Sequence, residues 1–111
     1  FGIRNVTSTA ECLREMARVL IPGGRSLILE FSMPKRPLIK KLYLFYLRHI
    51  LPKLGRLLSS DVRAYTYLNE TIESYPYGDQ FLKLMNEAGL TDCRAIPLTF
   101  GIATLYIGEK R

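Results

Sequence analysis

The sequence predicts an α/β fold in which a buried strand is followed by helices and a closing antiparallel hairpin. A helix ends near Leu20, and Pro22 with the glycines after it allows a tight reversal of the chain. The run 26–31 is long enough for a strand, and its continuously apolar centre predicts that both faces are covered. The β-rich runs 91–98 and 102–108 predict the hairpin.

Length and composition fit one small domain. The chain has 111 residues and a net charge of +6, and its 48% hydrophobic content supports a packed core. Cys12 and Cys93 fit no metal or redox spacing, so we interpret them as reduced thiols of an intracellular protein. No apolar run approaches the ~18 residues of a membrane span. Because residues 1–6 resemble the middle of a domain, we expect a fragment of a longer protein.

Residues 1–6 predict the end of a strand that runs into a loop. In open α/β sheets, the loops at the carboxyl ends of strands carry the ligand sites. Arg4 and Asn5 are therefore candidate functional residues. From the residues alone, the commoner roles of a solvated loop arginine and a turn asparagine stay open.

Residues 8–20 form the clearest predicted helix. Ser8 and Glu11 make a capping box, and an apolar stripe predicts packing against the sheet. Glu30 lies late in the predicted strand, where a buried carboxylate needs partners. We expect a structural hydrogen-bond role for Glu30, and a ligand contact or a solvated strand end are the alternatives.

The segment 34–58 carries the excess positive charge. It contains seven basic residues and no acidic one: Lys35, Arg36, Lys40, Lys41, Arg48, Lys53 and Arg56. A helix is predicted over 38–51, with Pro37 at its start and Pro52 as its stop. Its centre is apolar on all sides, which is typical of a helix that is buried on several sides or faces lipid or an oily ligand.

Two interpretations of helix 38–51 stay open. It is a cap packed on its own domain, or it contacts an anionic membrane surface through its basic ends, and the two are compatible. We expect no nucleic-acid partner, because the bases flank an apolar helix and no binding motif is present. His49 is the only histidine, so we expect no metal site.

Residues 61–75 predict a partly helical segment. Four of its side chains share one face: Tyr65, Leu68, Ile72 and Tyr75. The tyrosines here suit a planar aromatic ligand and a half-buried core edge equally. Asp79 is predicted to cap a last helix that ends at Gly89.

Several motifs together resemble a known family. In chain order they are F-G-I-R-N-V, E-M-x-R-V-L-x-P-G-G, L-E-F-S-M-P, L-P-K-L-G, Y-x-Y-L-x-x-(S/T)-I and L-T-x-G-I. They are similar to the carboxy-terminal half of the ubiquinone/menaquinone biosynthesis C-methyltransferases, over essentially the whole of residues 1–111. The resemblance implies the C-terminal part of a Rossmann-like class I methyltransferase sheet. That part has parallel strands, a terminal antiparallel hairpin and a helical substrate-cap insertion at 34–77.

The resemblance also implies a reaction. Family members transfer a methyl group from S-adenosylmethionine to a ring carbon of a polyprenyl benzoquinol or naphthoquinol. The family's Arg-Asn pair matches Arg4 and Asn5, which we expect to be catalytic by holding a water or the developing phenolate. Phe1 and Gly2 are expected to line the cofactor site. The resemblance further implies these substrate-binding residues: Phe31, Tyr43, Tyr46, Tyr65, Tyr67, Leu68 and Gly101.

The chain departs from the family in lacking the glycine-rich loop and the ribose-binding acidic residue. Because a dinucleotide-like site needs both, we expect this chain alone neither to bind S-adenosylmethionine measurably nor to turn over. A bare sheet edge predicts a homodimer or a swapped assembly. The expected location is cytoplasmic, with peripheral membrane contact left open. The alternative function is a non-catalytic membrane-docking or protein-interaction module that uses helix 38–51.

Overall fold

The computed structural model describes residues 1–58 and 62–111, leaving the side chains of residues 62 and 65 aside. The helices and strands are α1 Thr9–Val19, β1 Arg25–Phe31, α2 Pro37–Phe45, α3 Leu51–Leu58, α4 Val62–Ser74, α5 Asp79–Glu87, β2 Thr91–Leu98 and β3 Ala103–Glu109. Short 3-10 turns cover Ile3–Asn5 and Thr99–Gly101, and a π-helical turn covers Tyr46–Ile50.

The three strands form one antiparallel sheet in the order β1–β3–β2. Strand β3 pairs with β1, where Ile28 lies opposite Tyr106, and with β2 in a hairpin. The hairpin turns at Thr99–Gly101, where Phe100 has a φ of 59°. The predicted hairpin and the mixed helix and sheet class are confirmed. The parallel pairing expected for this sheet stays a prediction, because both ladders among the described strands are antiparallel.

Strand β1 lies at an edge of the sheet with only one face buried. Ile28 points into the core, whereas Leu27 is 62% exposed and Leu29 is 37% exposed. The prediction that both faces of this strand are covered is therefore wrong for this chain. Burial alternates along β1 because helices pack on the Ile28 side, and consecutive apolar residues do not reveal whether a second layer covers the other side.

The first core lies between the sheet and helices α1 and α5. Its buried side chains are Ile3, Leu13, Ala17, Ile28, Phe81, Met85, Leu90 and Tyr106. Ser8 caps α1 as predicted, since its side chain accepts a hydrogen bond from the Glu11 N–H. Asp79 is not the cap of α5. The N-cap is Gly78, whose φ of 60° is a conformation that glycine adopts without strain, and Asp79 is the first helical residue.

Residues 37–58 form one long helix, made of α2, the π-helical turn and α3. Pro37 begins it as predicted, but Pro52 does not end it, so the predicted stop is wrong. The N–H of Leu51 donates to the Tyr46 carbonyl five residues back. This wider turn makes room for the Pro52 ring, which clashes with the carbonyl four residues back in a regular α-helix.

The long helix packs with α4 around a second core. The buried side chains of this core are Met33, Tyr43, Leu47 and Ile72. Phe31 at the end of β1 and Ile102 before β3 pack against it, so the two helices adjoin the ends of the strands. Helix α4 confirms most of the predicted segment 61–75, of which residue 61 lies outside the described residues. No helix among the described residues 1–58 and 62–111 is long and apolar enough to cross a membrane.

We expect the chain to self-associate through the outer edge of β1, along the part before Leu29, whose carbonyl accepts a hydrogen bond from Phe1. Strand β2, at the other edge, carries Arg94 and Pro97, which oppose pairing with a further strand, whereas β1 presents the exposed Leu27. Sedimentation velocity at rising protein concentration should show a dimer, and Leu27→Lys should shift the distribution toward the monomer. Ile96→Lys on β2 is the matched control. A monomer at every concentration, or equal effects of the two lysines, would contradict this expectation.

Candidate functional site

The 3-10 turn Ile3–Asn5 brings Arg4 onto the end of β1. The predicted strand end is wrong for this chain, because residues 1–6 contain this turn and no strand. Ile3 is buried in the first core, which places Arg4 beside Glu30. Nη1 of Arg4 lies 2.8 Å from Oε1 of Glu30, and the Arg4 backbone N–H donates to Oε2 at 3.2 Å. The two side chains are 7% and 1% exposed. Glu30 therefore has the structural hydrogen-bond role that its place in a buried strand predicts.

The rest of the Arg4 guanidinium contacts an aromatic ring, and one of its own N–H groups has no partner in the part of the chain that the structure describes. Its central carbon lies 5.3 Å from the centre of the Phe31 ring, within the range of a cation–π contact. Its Nε is buried and has no hydrogen-bond partner among the residues described. Glu30 thus fixes one edge of the guanidinium, while the Nε–H remains able to donate to another oxygen.

Asn5 follows Arg4 and lies at the surface. Its Oδ1 accepts a hydrogen bond from the Tyr67 O–H on α4 at 3.2 Å. This contact joins the Arg-Asn pair to the helical segment that follows β1. Three of the predicted site residues therefore lie in one region of the structure.

An apolar cavity of about 470 Å³ lies between the long helix, α4 and the strand ends. Four predicted substrate-binding residues line it: Phe31, Tyr43, Tyr46 and Leu68. Six further lining residues were not predicted: Ile39, Leu42, Leu47, Leu51, Ile72 and Ile102. The sequence signal for those on the long helix is a helix that is apolar on all sides, and the signal for Ile72 is the face that it shares with Leu68. Arg4 is not itself a lining residue and meets the cavity wall through Phe31.

Tyr43 is a buried polar side chain in the wall of this cavity. Burial, together with the neighbouring Tyr46, raises the pKa of the Tyr43 phenol to about 12 against the opposing effect of the Arg4 charge. The phenol is therefore protonated at neutral pH and can act as a hydrogen-bond donor. The contact of the Arg4 guanidinium with Phe31 places the positive charge close to this end of the cavity.

Of the predicted substrate-binding residues that the structure describes, Tyr67 and Gly101 are not part of this wall. Gly101 lines a second cavity, of about 480 Å³, at the hairpin turn. Its φ is +91°, and a Cβ there would lie 3.2 Å from the Cα of Pro34, so the close packing requires glycine. Ser32 donates a hydrogen bond to the Gly101 carbonyl at 2.6 Å. The side chain of Tyr65 lies outside the described residues.

Phe1 and Gly2, the predicted cofactor residues, line a third cavity of about 370 Å³ beside β1. The ammonium group of Phe1 donates to the Leu29 carbonyl at 2.6 Å, and its ring centre lies 4.7 Å from that of Phe31. The lining side chains are apolar, so none offers a carboxylate to ribose hydroxyls or a charge to an amino-acid group. These residues do not fit the whole of S-adenosylmethionine. The described residues also contain no cluster of His, Cys, Asp or Glu that could hold a metal ion.

Replacing Glu30 with Gln is expected to destabilise the protein by about 3–5 kcal/mol, because the Arg4 charge then stays buried without a counter-charge. Urea unfolding followed by circular dichroism measures the change. Glu15→Gln is the control, since Glu15 pairs with Arg18 in solvent and its loss should cost less than about 1 kcal/mol. A small and equal effect of both substitutions would show that the buried pair is not a stabilising constraint.

The raised pKa of Tyr43 predicts a loss of stability at high pH. The phenol of an unfolded tyrosine ionises near pH 10 and that of folded Tyr43 near pH 12, so the folded state loses stability as the pH rises between these values. Tyr43→Phe removes this ionisation, so the unfolding free energy of the variant should fall less than that of the unsubstituted protein over the same pH range. Burial also raises the pKa of Tyr75 and of Tyr106, and these contribute equally in both proteins. Superimposable pH profiles would refute the raised value.

The chain is similar to quinone-biosynthesis methyltransferases along its whole length. It is 49% identical over 108 residues to the ubiquinone/menaquinone biosynthesis C-methyltransferase UbiE of Syntrophotalea carbinolica, an alignment that covers 97% of this chain and 45% of that protein. It is 41% identical over 110 residues to the demethylmenaquinone methyltransferase of Halalkalibacterium halodurans, covering 99% of this chain and 45% of that protein. The chain therefore spans a little under half the length of these relatives.

Among solved structures, the crystal structure of a protein described as a possible exported protein from Bordetella parapertussis matches with a TM-score of 0.61 at 17% identity. The match covers 99% of this chain and 36% of that one, and at this identity it concerns the fold alone. The model of the ubiE/COQ5 methyltransferase family matches residues 1–110. With this match over nearly the whole sequence, the chain belongs to the ubiE/COQ5 methyltransferase family.

Proposed function

We propose that this chain is the substrate-side part of an S-adenosylmethionine-dependent C-methyltransferase that methylates a ring carbon of a polyprenyl quinol. Family membership supports the reaction type, and the names of the relatives point to the ubiquinone and menaquinone series. The observation that carries the proposal is an apolar cavity whose wall, at Phe31, contacts a buried guanidinium with an unpartnered Nε–H.

Methylation at carbon requires an electron-rich ring. A quinol ring carbon becomes a competent nucleophile when a ring hydroxyl loses its proton and the negative charge spreads into the ring. S-adenosylmethionine supplies the electrophilic methyl group when it is bound, and the methylated carbon then releases its own proton to restore the aromatic ring. The task of this part of the protein is to bind an apolar molecule and to stabilise an oxyanion.

Arg4 is suited to stabilise that oxyanion. Its guanidinium stays protonated in proteins, so it cannot serve as the proton acceptor. Glu30 fixes its orientation, and the Nε–H is the donor that we assign to the phenolate oxygen. Because this donor is already oriented and sheltered from water, its interaction with a developing charge is stronger than that of a solvated cation.

Asn5 and two tyrosines complete the surroundings assigned to the ring. Asn5, held by Tyr67, positions a water or the second ring oxygen. Tyr43 donates from the cavity wall to a ring oxygen, since its phenol is protonated at neutral pH. The other lining residues are nearly all apolar, which suits the first isoprene units of the tail.

The proposal includes a larger sheet. We assign β1, β3 and β2 as the last three strands of a Rossmann-like sheet whose parallel strands adjoin the free edge of β1. The hydrogen bond from the Phe1 ammonium group to the Leu29 carbonyl supports this assignment, because it shows the chain already lying along that edge. On this assignment the cofactor is held mainly by loops of the parallel strands rather than by Phe1 and Gly2.

A chimaeric enzyme tests the proposal. The part of the Syntrophotalea carbinolica relative that precedes the matched region is fused to this chain. Methyl transfer from labelled S-adenosylmethionine to a prenylated naphthoquinol and to a prenylated benzoquinol is then measured. We expect transfer to at least one acceptor by the chimaera and none by this chain alone. In the chimaera, Arg4→Lys should lower kcat by about 10²–10³-fold, as expected for loss of an oriented oxyanion donor.

Arg14→Lys on the exposed side of α1 is the matched control and should leave kcat unchanged. Because Arg4 is buried, thermal unfolding is measured for every variant. Asn5→Ala, at an exposed position, is a second probe that does not disturb the core. A folded chimaera that binds S-adenosylmethionine but methylates neither acceptor would contradict the proposal, and so would full kcat in a folded Arg4→Lys variant.

A further inference from the structure

We propose that the solvent-facing side of the long helix (residues 37–58) docks on an anionic lipid bilayer. The proposal goes beyond the methyl transfer above, because it concerns the surface on which the protein works and does not depend on the reaction. A continuous exposed apolar stripe, basic residues near it in sequence and a segment free of acidic residues carry the inference.

The apolar stripe runs along the whole helix. In α2 it consists of Leu38, Leu42 and Phe45, spaced four and then three residues apart, which are 70%, 63% and 56% exposed. In α3 it continues with Leu54 and Leu57, which are 38% and 82% exposed. Exposed leucines and phenylalanines in one line are typical of an interaction surface rather than of scattered surface residues.

The π-helical turn Tyr46–Ile50 keeps the two halves of the stripe in line. Its hydrogen bonds span five residues rather than four, so the turn takes up one additional residue. Ile50, which is 39% exposed, therefore follows Phe45 on the same side of the helix, and Leu54 follows Ile50 one regular turn later. The exposed stripe thus passes through the irregular turn without winding into the core.

Basic side chains occur along the same segment as the stripe, and Lys41 and Lys53 directly precede the stripe residues Leu42 and Leu54. Six of them are exposed: Lys35, Arg36, Lys40, Lys41, Lys53 and Arg56. Arg48 is held by Glu73 of α4, with Nη2 2.6 Å from Oε1, and is not counted among them. Residues 31–58 contain no Asp or Glu. Long basic side chains beside apolar ones can reach lipid phosphates while their neighbours enter the boundary of the acyl region.

This combination favours a bilayer over a second copy or a nucleic acid on this face. A second copy placed symmetrically on the same face would bring basic side chains together, and the segment has no acidic residue to pair with them. Nucleic acid would neutralise the bases and leave the leucines without partners. Anionic lipid provides partners for both kinds of side chain, because its phosphates contact the basic residues and its acyl region contacts the apolar stripe. The helix lies on the surface, since no described helix is long and apolar enough to cross the membrane.

The other side of the same helix lines the apolar cavity with Ile39, Tyr43 and Leu47. Docking therefore brings the cavity to within one helix thickness of the bilayer. The consequence that a quinol enters the cavity from the lipid phase rests on the proposed function, whereas the docking itself does not.

Co-sedimentation with vesicles tests the docking. The protein is mixed with vesicles of phosphatidylcholine alone or of equal parts phosphatidylglycerol and phosphatidylcholine, without methyl donor or acceptor. We expect binding to the anionic vesicles only, weakened by added salt because exposed charges are screened. Reversal of Lys41, Lys53 and Arg56 to Glu should weaken binding on the order of a hundredfold, since each base near an anionic surface contributes roughly fivefold.

A matched charge control and a neutral variant separate specific docking from general attraction. Arg14, Lys83 and Arg94 are exposed on other elements, and their reversal to Glu changes the net charge equally but should weaken binding far less. Replacement of three stripe residues that do not line the cavity by serine, in L38S/F45S/L57S, should weaken binding without changing charge. All the changed side chains are exposed, and circular dichroism checks each fold. The effect of salt is measured on the unsubstituted protein, so it does not depend on whether a variant folds.

Four results would overturn the proposal. The first is that the protein does not bind anionic vesicles, and the second is that the two triple charge reversals weaken binding equally. The third is that the triple serine variant binds as well as the unsubstituted protein. The fourth is that the protein self-associates without vesicles and the triple serine variant does not. The last result assigns the surface to a second copy. Because no reactant is present, a failure of the proposed methyl transfer leaves these outcomes unaffected.

Discussion

The buried ion pair between Arg4 and Glu30 is the constraint that the rest of the structure accommodates. Taking two charges out of water is costly unless they are paired and hydrogen-bonded to each other. Glu30 accepts from the Arg4 guanidinium, from the Arg4 backbone N–H and from its neighbour Phe31. The pair therefore joins the turn before α1 to the end of β1, and the fold itself sets the orientation of the guanidinium.

The helical segment after β1 supplies the opposite wall of the site. Phe31 links the two parts, because its ring contacts the Arg4 guanidinium and also lines the apolar cavity. The hydrogen bond between Asn5 and Tyr67 joins them a second time at the surface. Charge, aromatic ring and cavity are thus assembled by short contacts between segments that lie far apart in sequence, and such contacts are sensitive to small shifts of either helix.

Local patterns in the sequence predicted the parts of the fold that depend on neighbouring residues. The Ser8 cap and the closing hairpin are confirmed, because a side-chain acceptor and a turn act over a few positions. The pairing of Arg4 with Glu30 was not predicted, since spacing does not encode contacts between distant residues. Pro52 misled the prediction because the wider turn before it removes the clash that normally stops a helix. In the candidate site, the family motif pointed to Arg4, but the aliphatic lining depends on how the helices pack.

The additional residue in the turn Tyr46–Ile50 ties the length of this stretch to the proline that follows it. Because the turn holds one residue more than a regular helical turn, deleting one residue here would restore a regular α-helix and leave the phase of Leu51–Leu58 unchanged. The ring of Pro52 would then meet the carbonyl four residues back, which the wider turn avoids. Related proteins with one residue fewer in this stretch are therefore expected to carry another residue at the position of Pro52.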